Sequence, residues 1–162
     1  MSGTRYYAAL LISLLLFNGS SAIAATSTLN ISGNILLPPP CEINGQETIS
    51  VDFTDQVMTT RVDGINYRQP VLYKLDCTTS SSNALKMKIQ GMDAGFSGAL
   101  QTTITNLGIV LSTDSQTMPV NSWLNFSLPS QPNLFATLVK RPGTMLKAAD
   151  FTAAATMVVD YQ

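Results

Sequence analysis

The stretch FTAAATMVVDYQ, residues 151–162, decides the fold of this chain. Its odd-numbered positions form an apolar face, whereas most of its polar side chains lie on the other face. A period of two is typical of a β-strand, because successive side chains point to opposite faces. The apolar face comprises Phe151, Ala153, Ala155, Met157, Val159 and Tyr161. The stretch therefore predicts a long strand that runs to Gln162.

A strand this apolar is expected to have a neighbour on each side. An open apolar edge is an aggregation hazard unless another strand covers it. No sequence follows Gln162 to supply the second neighbour. We therefore expect the chain to have a gap that a further strand would fill.

A second alternating stretch begins at Thr28, near the other end of the chain. Its apolar face comprises Leu29, Ile31, Gly33 and Ile35, and Asn30, Ser32 and Asn34 lie on the polar face. The run Pro38-Pro39-Pro40 follows, and proline has no amide proton and favours a stiff polyproline conformation. Residues 25–40 are therefore predicted to be a strand and a spacer that hinders its return to the same domain.

Between these ends the sequence predicts short strands separated by Gly, Pro, Ser and Asn. They cover residues 47–53, 70–77, 85–92, 107–111, 124–128 and 134–139. The chain is 45% hydrophobic and only 12% charged, which also favours extended structure over a charged surface. The prediction is one all-β domain, residues 41–162, built as an immunoglobulin-like sandwich.

Residues 1–24 have the composition of a secretory signal. Arg5 precedes an apolar run, Ala8–Phe17, and Ala22-Ile23-Ala24 is a small-residue site typical of signal peptidase cleavage between Ala24 and Ala25. A membrane anchor is the alternative, but a span needs about 20 apolar residues. We predict export to an oxidising compartment, with no membrane span after cleavage.

In such a compartment Cys41 and Cys77 are expected to form a structural disulfide. Their separation excludes a redox CxxC pair, and two cysteines without histidine cannot complete a zinc site. Two buried free thiols are the alternative.

The composition excludes most enzymatic and nucleic-acid functions. The chain has no histidine, the commonest general base and metal ligand, and its nine basic residues form no cluster against ten acidic ones. We predict no catalytic residue, no metal and no cofactor. Trp123 and Tyr67 are candidates for sugar stacking or for packing. Asp52, Asp55 and Asp63 are candidates for acid–base chemistry or for turn capping, and Ser80-Ser81-Ser82 is expected to form a flexible loop.

The sequence resembles the pilin subunits of chaperone–usher fimbriae, and most closely the minor, adaptor-type subunits of type 1-like and P-like systems. The matching segments, in order, are Ser27–Ile35, Pro40–Ile43, Ile49–Phe53, Pro70–Cys77, Leu107–Leu111 and Asp150–Gln162. The triple proline, and Ala149 where many members have glycine, depart from the family pattern.

The resemblance implies an incomplete immunoglobulin-like fold that lacks its last strand. A periplasmic fimbrial chaperone would lend a strand, and the extension of a neighbouring subunit would replace it at the outer-membrane usher. Leu29, Ile31, Gly33 and Ile35 would be the donor face. The acceptor groove and chaperone contacts would be Phe151, Ala153, Ala155, Met157, Val159, Tyr161 and the carboxylate of Gln162.

The function that the resemblance implies is structural and non-enzymatic. The subunit would lie in a fimbrium on the cell surface, between neighbouring subunits, and would join the rod to a tip adhesin. The alternative is a stand-alone secreted immunoglobulin-like module that binds a glycan or a protein.

Overall fold

The computed structural model describes residues 32–33, 41–53, 56–77 and 82–162. The chain divides after Leu36, and the fold below is that of the second unit, Leu37–Gln162. Outside the described residues lie the predicted signal peptide with its Ala24–Ala25 cleavage site, the donor residues Leu29, Ile31 and Ile35, the triple proline, Asp55, Ser80 and Ser81. Gly33 is described and is exposed.

The described part of the chain is all-β, as predicted from the sequence. Two short 3-10 turns, Asn44–Gln46 and Thr59–Arg61, are its helical elements. Its strands are β1 Glu42–Ile43, β2 Arg68–Val71, β3 Leu75–Asp76, β4 Ala84–Gly91, β5 Leu100–Gln101, β6 Leu107–Ser112, β7 Thr117–Met118, β8 Leu124–Ser127, β9 Leu134–Lys140 and β10 Ala155–Tyr161.

These strands form antiparallel sheets. One sheet has the order β10-β4-β8, and another has the order β2-β9-β6-β5 with β7 paired to β6. The short strands β1 and β3 pair with each other. None of the helical elements in the described residues is long and apolar enough to cross a membrane.

The core lies where alternating side chains of the sheets meet. In β4, Leu85, Met87 and Ile89 are buried while the two lysines between them are only partly buried. β9 contributes Leu134, Ala136 and Leu138 to the same core, and Thr137 between the last two is buried as well. Burying a large apolar side chain stabilises the fold by about 1.5 to 3 kcal/mol, so these strands supply much of the stability.

The predicted strand at residues 70–77 is interrupted. β2 and β3 occupy its two ends, and Val71, Tyr73 and Leu75 pack against the core as predicted. Tyr73 lies between the strands, where its hydroxyl donates to Pro132 O at 2.6 Å and Gln131 Nε2 donates to Tyr73 O at 3.1 Å. Burial raises the pKa of Tyr73 to about 12. The side chain and carbonyl of Tyr73 bond to a loop at this point instead of continuing a ladder.

Two strand predictions are wrong in their pairing. Residues 47–53 belong to no strand, and the last strand begins at Ala155 instead of Phe151. Exposure alternates as predicted in residues 48–53, whereas in the last strand Val158 of the opposite face is partly buried like Met157 and Val159. A β-ladder also needs a hydrogen-bonding neighbour, which the described residues do not provide there.

The predicted disulfide is confirmed, since Cys41 is bonded to Cys77. Cys41 directly precedes β1, and Cys77 directly follows β3. The bond therefore closes the end of a two-residue ladder that could not hold itself together in water. It fixes the start of the segment that leads into residues 47–53.

We predict that the double change Cys41→Ser/Cys77→Ser lowers the free energy of unfolding by about 3 to 4 kcal/mol. Closing a loop of 36 residues restricts the unfolded chain by roughly this amount. Urea unfolding of the mature protein, compared with the double variant, measures the difference. The reduced wild-type protein is the control and should match the variant, whereas equal stability of oxidised and reduced protein would contradict the prediction.

Candidate functional site: an apolar groove between two walls

Two extended segments face each other across a groove. We call residues 48–53 the first wall and residues 149–157 the second wall, whose last three residues belong to β10. The groove between them has a volume of about 660 Å³. Apolar and polar residues alternate in the sequence of both walls, so each wall presents one apolar and one polar face.

The first wall has strand-like side chains without strand pairing. Ile49, Val51 and Phe53 are partly buried, whereas the alternate residues Thr48, Ser50 and Asp52 are exposed. Val51 and Phe53 pack against the core. Within the described part of the chain, no backbone hydrogen bond joins residues 48–53 to another segment. Extended backbone of this kind can accept a strand beside it.

The second wall presents an open backbone edge. β10 pairs with β4 from Ala155↔Gly91 to Tyr161↔Leu85, and it has no other strand neighbour among the described residues. Gln162 donates its N–H to Ala84 O at 3.2 Å. Bonded and non-bonded residues alternate in an antiparallel pair, so the even-numbered residues of β10 bond to β4. The backbone groups of odd-numbered residues such as Met157 and Val159 therefore point to the opposite edge.

A short backbone link holds the second wall before β10 begins. Thr103 donates its N–H to Thr152 O at 3.0 Å, and Thr152 donates its N–H to Thr103 Oγ1 at 3.0 Å. These bonds use the backbone of an even-numbered residue, as in β10. The wall therefore keeps a single alternating pattern from Ala149 to Met157.

The floor of the groove is the apolar core itself. It is formed by residues from β4, β5, β6 and β9, with Val57 and Val71 beside them: Ile89, Leu100, Ile109, Leu111 and Ala136. Gly91 lies at the edge of this floor, within contact distance of Leu100. A Cβ at position 91 would overlap Leu100 Cδ1 and would lie 3.4 Å from Ala155 Cβ. Glycine here lets Leu100 extend under the groove.

The two walls contact each other at one position along the groove, which we call the aromatic level. Phe53 of the first wall and Phe151 of the second have ring centroids 5.8 Å apart and rings tilted by 47°. Tilted aromatic pairs at this separation attract each other beyond the area they bury. This contact sets the spacing of the walls and crosses the groove.

The groove is apolar except at its rim. Among the described residues that line it, Asp52 and Asp150 are the charged ones. Both side chains are exposed, while the phenylalanines that follow them in sequence are partly buried. The arrangement can hold an extended apolar segment, and the other polar side chains among the described lining residues are the hydroxyls of Thr48, Ser50 and Thr152.

The structure brings together four of the seven residues predicted for the groove and chaperone contacts. Phe151, Ala153, Ala155 and Met157 line the groove. Val159 packs against the core, and Tyr161 pairs with Leu85. Gln162 fastens the end of β10, because its Nε2 donates to Leu85 O at 2.6 Å and to Phe126 O at 3.2 Å.

The first wall was not predicted as part of the site. The sequence indicated a strand at 47–53 but not its place opposite the last strand. The alternation of Ile49, Val51 and Phe53 was the available signal. The floor residues gave no such signal, because any core residue of these strands has the same apolar character.

The structure shows the contacts of Trp123, Tyr67 and Asp63, the other candidate residues of the sequence. Trp123 lies on the sheet surface with Lys86 Nζ 5.1 Å and Lys88 Nζ 4.6 Å from its ring centroid. Tyr67 accepts a hydrogen bond from Met58 N at 2.9 Å. Asp63 caps a turn, accepting from Ile65 N and Asn66 N, and these backbone bonds lower the pKa of its carboxyl.

Comparison with solved structures shows the same fold in pilus subunits. The P pilus adaptor subunit PapF matches with a TM-score of 0.57 at 24% identity, over 78% of this chain and 98% of PapF. The P pilus rod subunit PapA matches with a TM-score of 0.53 at 18% identity, over 85% of this chain and all of PapA. The predicted pilin-type, immunoglobulin-like sandwich is therefore confirmed.

Sequence comparison identifies the family. The chain is 41% identical over 150 residues to the fimbrial-like protein YfcR of Escherichia coli (strain K12), covering 88% of this chain and 86% of YfcR. It is 36% identical over 104 residues to the fimbrial adapter PapF of Escherichia coli, covering 63% of this chain and 59% of PapF. Residues 29–162 match the family described as Fimbrial protein. The chain therefore belongs to the fimbrial protein family, whose members are non-enzymatic structural subunits of surface fimbriae.

Proposed function

We propose that this chain is a minor, adaptor-type subunit that polymerises by donor-strand complementation and exchange. A periplasmic fimbrial chaperone first places a strand in the groove, and the extension of a neighbouring subunit replaces it at the outer-membrane usher. The assembled subunit joins the fimbrial rod to a tip adhesin. The observation that carries the proposal is the open β10 edge above an apolar floor.

The dimensions of the groove suit one extended strand. The six residues of the first wall extend for about 20 Å, and the seven residues 29–35 of a donor extension would extend for about 23 Å, close to the same length. A strand between the walls would form hydrogen bonds with the backbone N–H and C=O groups of the odd-numbered residues of β10. Its inward side chains would cover the apolar floor, each contributing about 1.5 to 3 kcal/mol.

The aromatic contact explains the glycine of the donor face. Strands that flank a third strand are roughly 9 to 10 Å apart, so Phe53 and Phe151, with centroids 5.8 Å apart, would meet beneath an inserted strand. An inward side chain at that level would overlap the rings. We therefore assign Gly33 of a donor extension to this level, with Ile31 and Ile35 on either side of the aromatic pair.

The adaptor role rests on the relatives. The fimbrial adapter PapF is 36% identical to this chain over 104 residues, and the minor fimbrial protein PrsF matches over the same length. The alternative, a stand-alone binding module, is not favoured, because a complete module would not leave an apolar strand edge without a second neighbour, and β10 has one strand neighbour in the described part of the chain.

We predict that a Gly33→Val donor peptide enters the groove more slowly and that Phe151→Ala in the acceptor restores the rate of entry. The experiment challenges the chaperone-bound mature subunit with a synthetic peptide of residues 25–37 and follows release of the chaperone. The valine should slow exchange by about tenfold or more, since overpacking a tight site costs about 1 to 3 kcal/mol. The smaller alanine in the acceptor wall removes that overlap.

A Ser32→Val peptide is the matched control, because the same side chain would then point outward. It should exchange at the wild-type rate. Equal exchange of the Gly33→Val and wild-type peptides would contradict the assignment of Gly33 to the aromatic level.

We predict that removal of Tyr161 and Gln162 abolishes capture by the chaperone. An anchored carboxylate sets the register of an added strand, and a slip of one residue would turn every side chain to the wrong face. Co-purification with the co-expressed chaperone measures capture. Gln162→Ala is the control, since it keeps the carboxylate and loses only the side-chain bonds to Leu85 and Phe126, and it should still be captured. Normal capture of the truncated chain would overturn the prediction.

A further inference from the structure

Asp52 and Asp150 give the groove a negative rim next to the aromatic pair. They are the charged residues among the described lining residues, and both are exposed. In the described part of the chain, the ion pair found joins Lys86 to Asp160, away from this rim. Neither rim carboxylate therefore has a cation from the described residues within ion-pair distance.

The aromatic contact fixes the level of this charge. Asp52 directly precedes Phe53, and Asp150 directly precedes Phe151. Since the two rings meet beneath the groove, each carboxylate lies about one residue, roughly 3.3 Å, from that level. Side chains alternate along both walls, so the rings point inward and the carboxylates point to the mouth of the groove.

An inserted strand would place two specific residues between these carboxylates. Its glycine lies over the aromatic pair, so the residues directly before and after the glycine point outward beside Asp52 and Asp150. We propose that this groove selects a donor segment with lysine or arginine next to its glycine. This inference rests on the donor-strand function proposed above and adds the chemistry of the partner.

A second copy of this chain does not have that chemistry. Residues 25–40 contain no charged side chain, and Ser32 and Asn34 flank Gly33. A donor with basic residues at these places gains cross-strand pairs of opposite charge, each of which shifts binding by up to about fivefold. The preferred occupant of this groove is therefore the extension of a different subunit, and the chain does not favour homopolymer growth.

The test compares two peptides of residues 25–37 that carry equal charge. One is Ser32→Lys/Asn34→Lys, and its matched control is Thr28→Lys/Asn30→Lys, with lysines on the same outward face but farther from the glycine. Both challenge the chaperone-bound mature subunit at low salt. The peptide with flanking lysines should exchange about threefold to tenfold faster than its control. The preference should vanish in about 0.5 M salt, where surface charges are screened.

The same comparison in Asp52→Asn/Asp150→Asn identifies the residues responsible, because both peptides should exchange at equal rates there. Equal rates in the wild-type subunit, or a preference that persists in this variant, would overturn the inference while leaving donor-strand exchange intact. Failure of every peptide to exchange, including the unmodified one, would overturn the proposed function and the inference together.

Discussion

The backbone edge of β10 and the apolar floor beneath it require the same neighbour. Backbone N–H and C=O groups next to a core are costly unless they are bonded, and apolar side chains facing water lose the stabilisation of burial. A single strand between the two walls would satisfy both requirements at once. Most features of the site follow from this coupling, because any occupant must be extended, apolar on one face and anchored in register.

The protein keeps the groove open with covalent and local contacts outside it. The disulfide fixes the beginning of the segment that forms the first wall. Thr103 holds the second wall through two hydrogen bonds, and Gly91 keeps Leu100 in the floor. These constraints act at the ends and edges, so the walls can persist without a ladder between them. The aromatic contact of Phe53 and Phe151 adds a direct link across the gap.

Different parts of the groove would determine how tightly a strand binds and which strand binds. The floor is apolar along its length and would bind any strand with suitable alternation, which suits successive occupants. Under the proposals made above, the constriction and the rim charge would restrict what that strand carries: a glycine over the aromatic pair and cations beside it. In a family in which many subunits share one fold, small local differences of this kind can order assembly without changing the sandwich.

The sequence by itself determined the fold class, the disulfide and the apolar face of the last strand. These properties depend on local alternation and on composition, and both can be determined directly from the sequence. It also indicated Phe151, Ala153, Ala155 and Met157, four residues that line the groove. Val159 and Tyr161 as groove residues, and the Gln162 carboxylate as a chaperone contact, remain predictions.

Only the tertiary structure decided what lies opposite the last strand. Residues 48–53 lie about a hundred positions before the last strand in the chain. Their alternation does not indicate which segment they face. The contact of Phe53 with Phe151, the floor and the position of the two rim carboxylates next to that contact arise from that juxtaposition. The physical reason is that side-chain alternation is a local property, whereas the pairing of strand edges depends on which edges the packed core leaves unpaired.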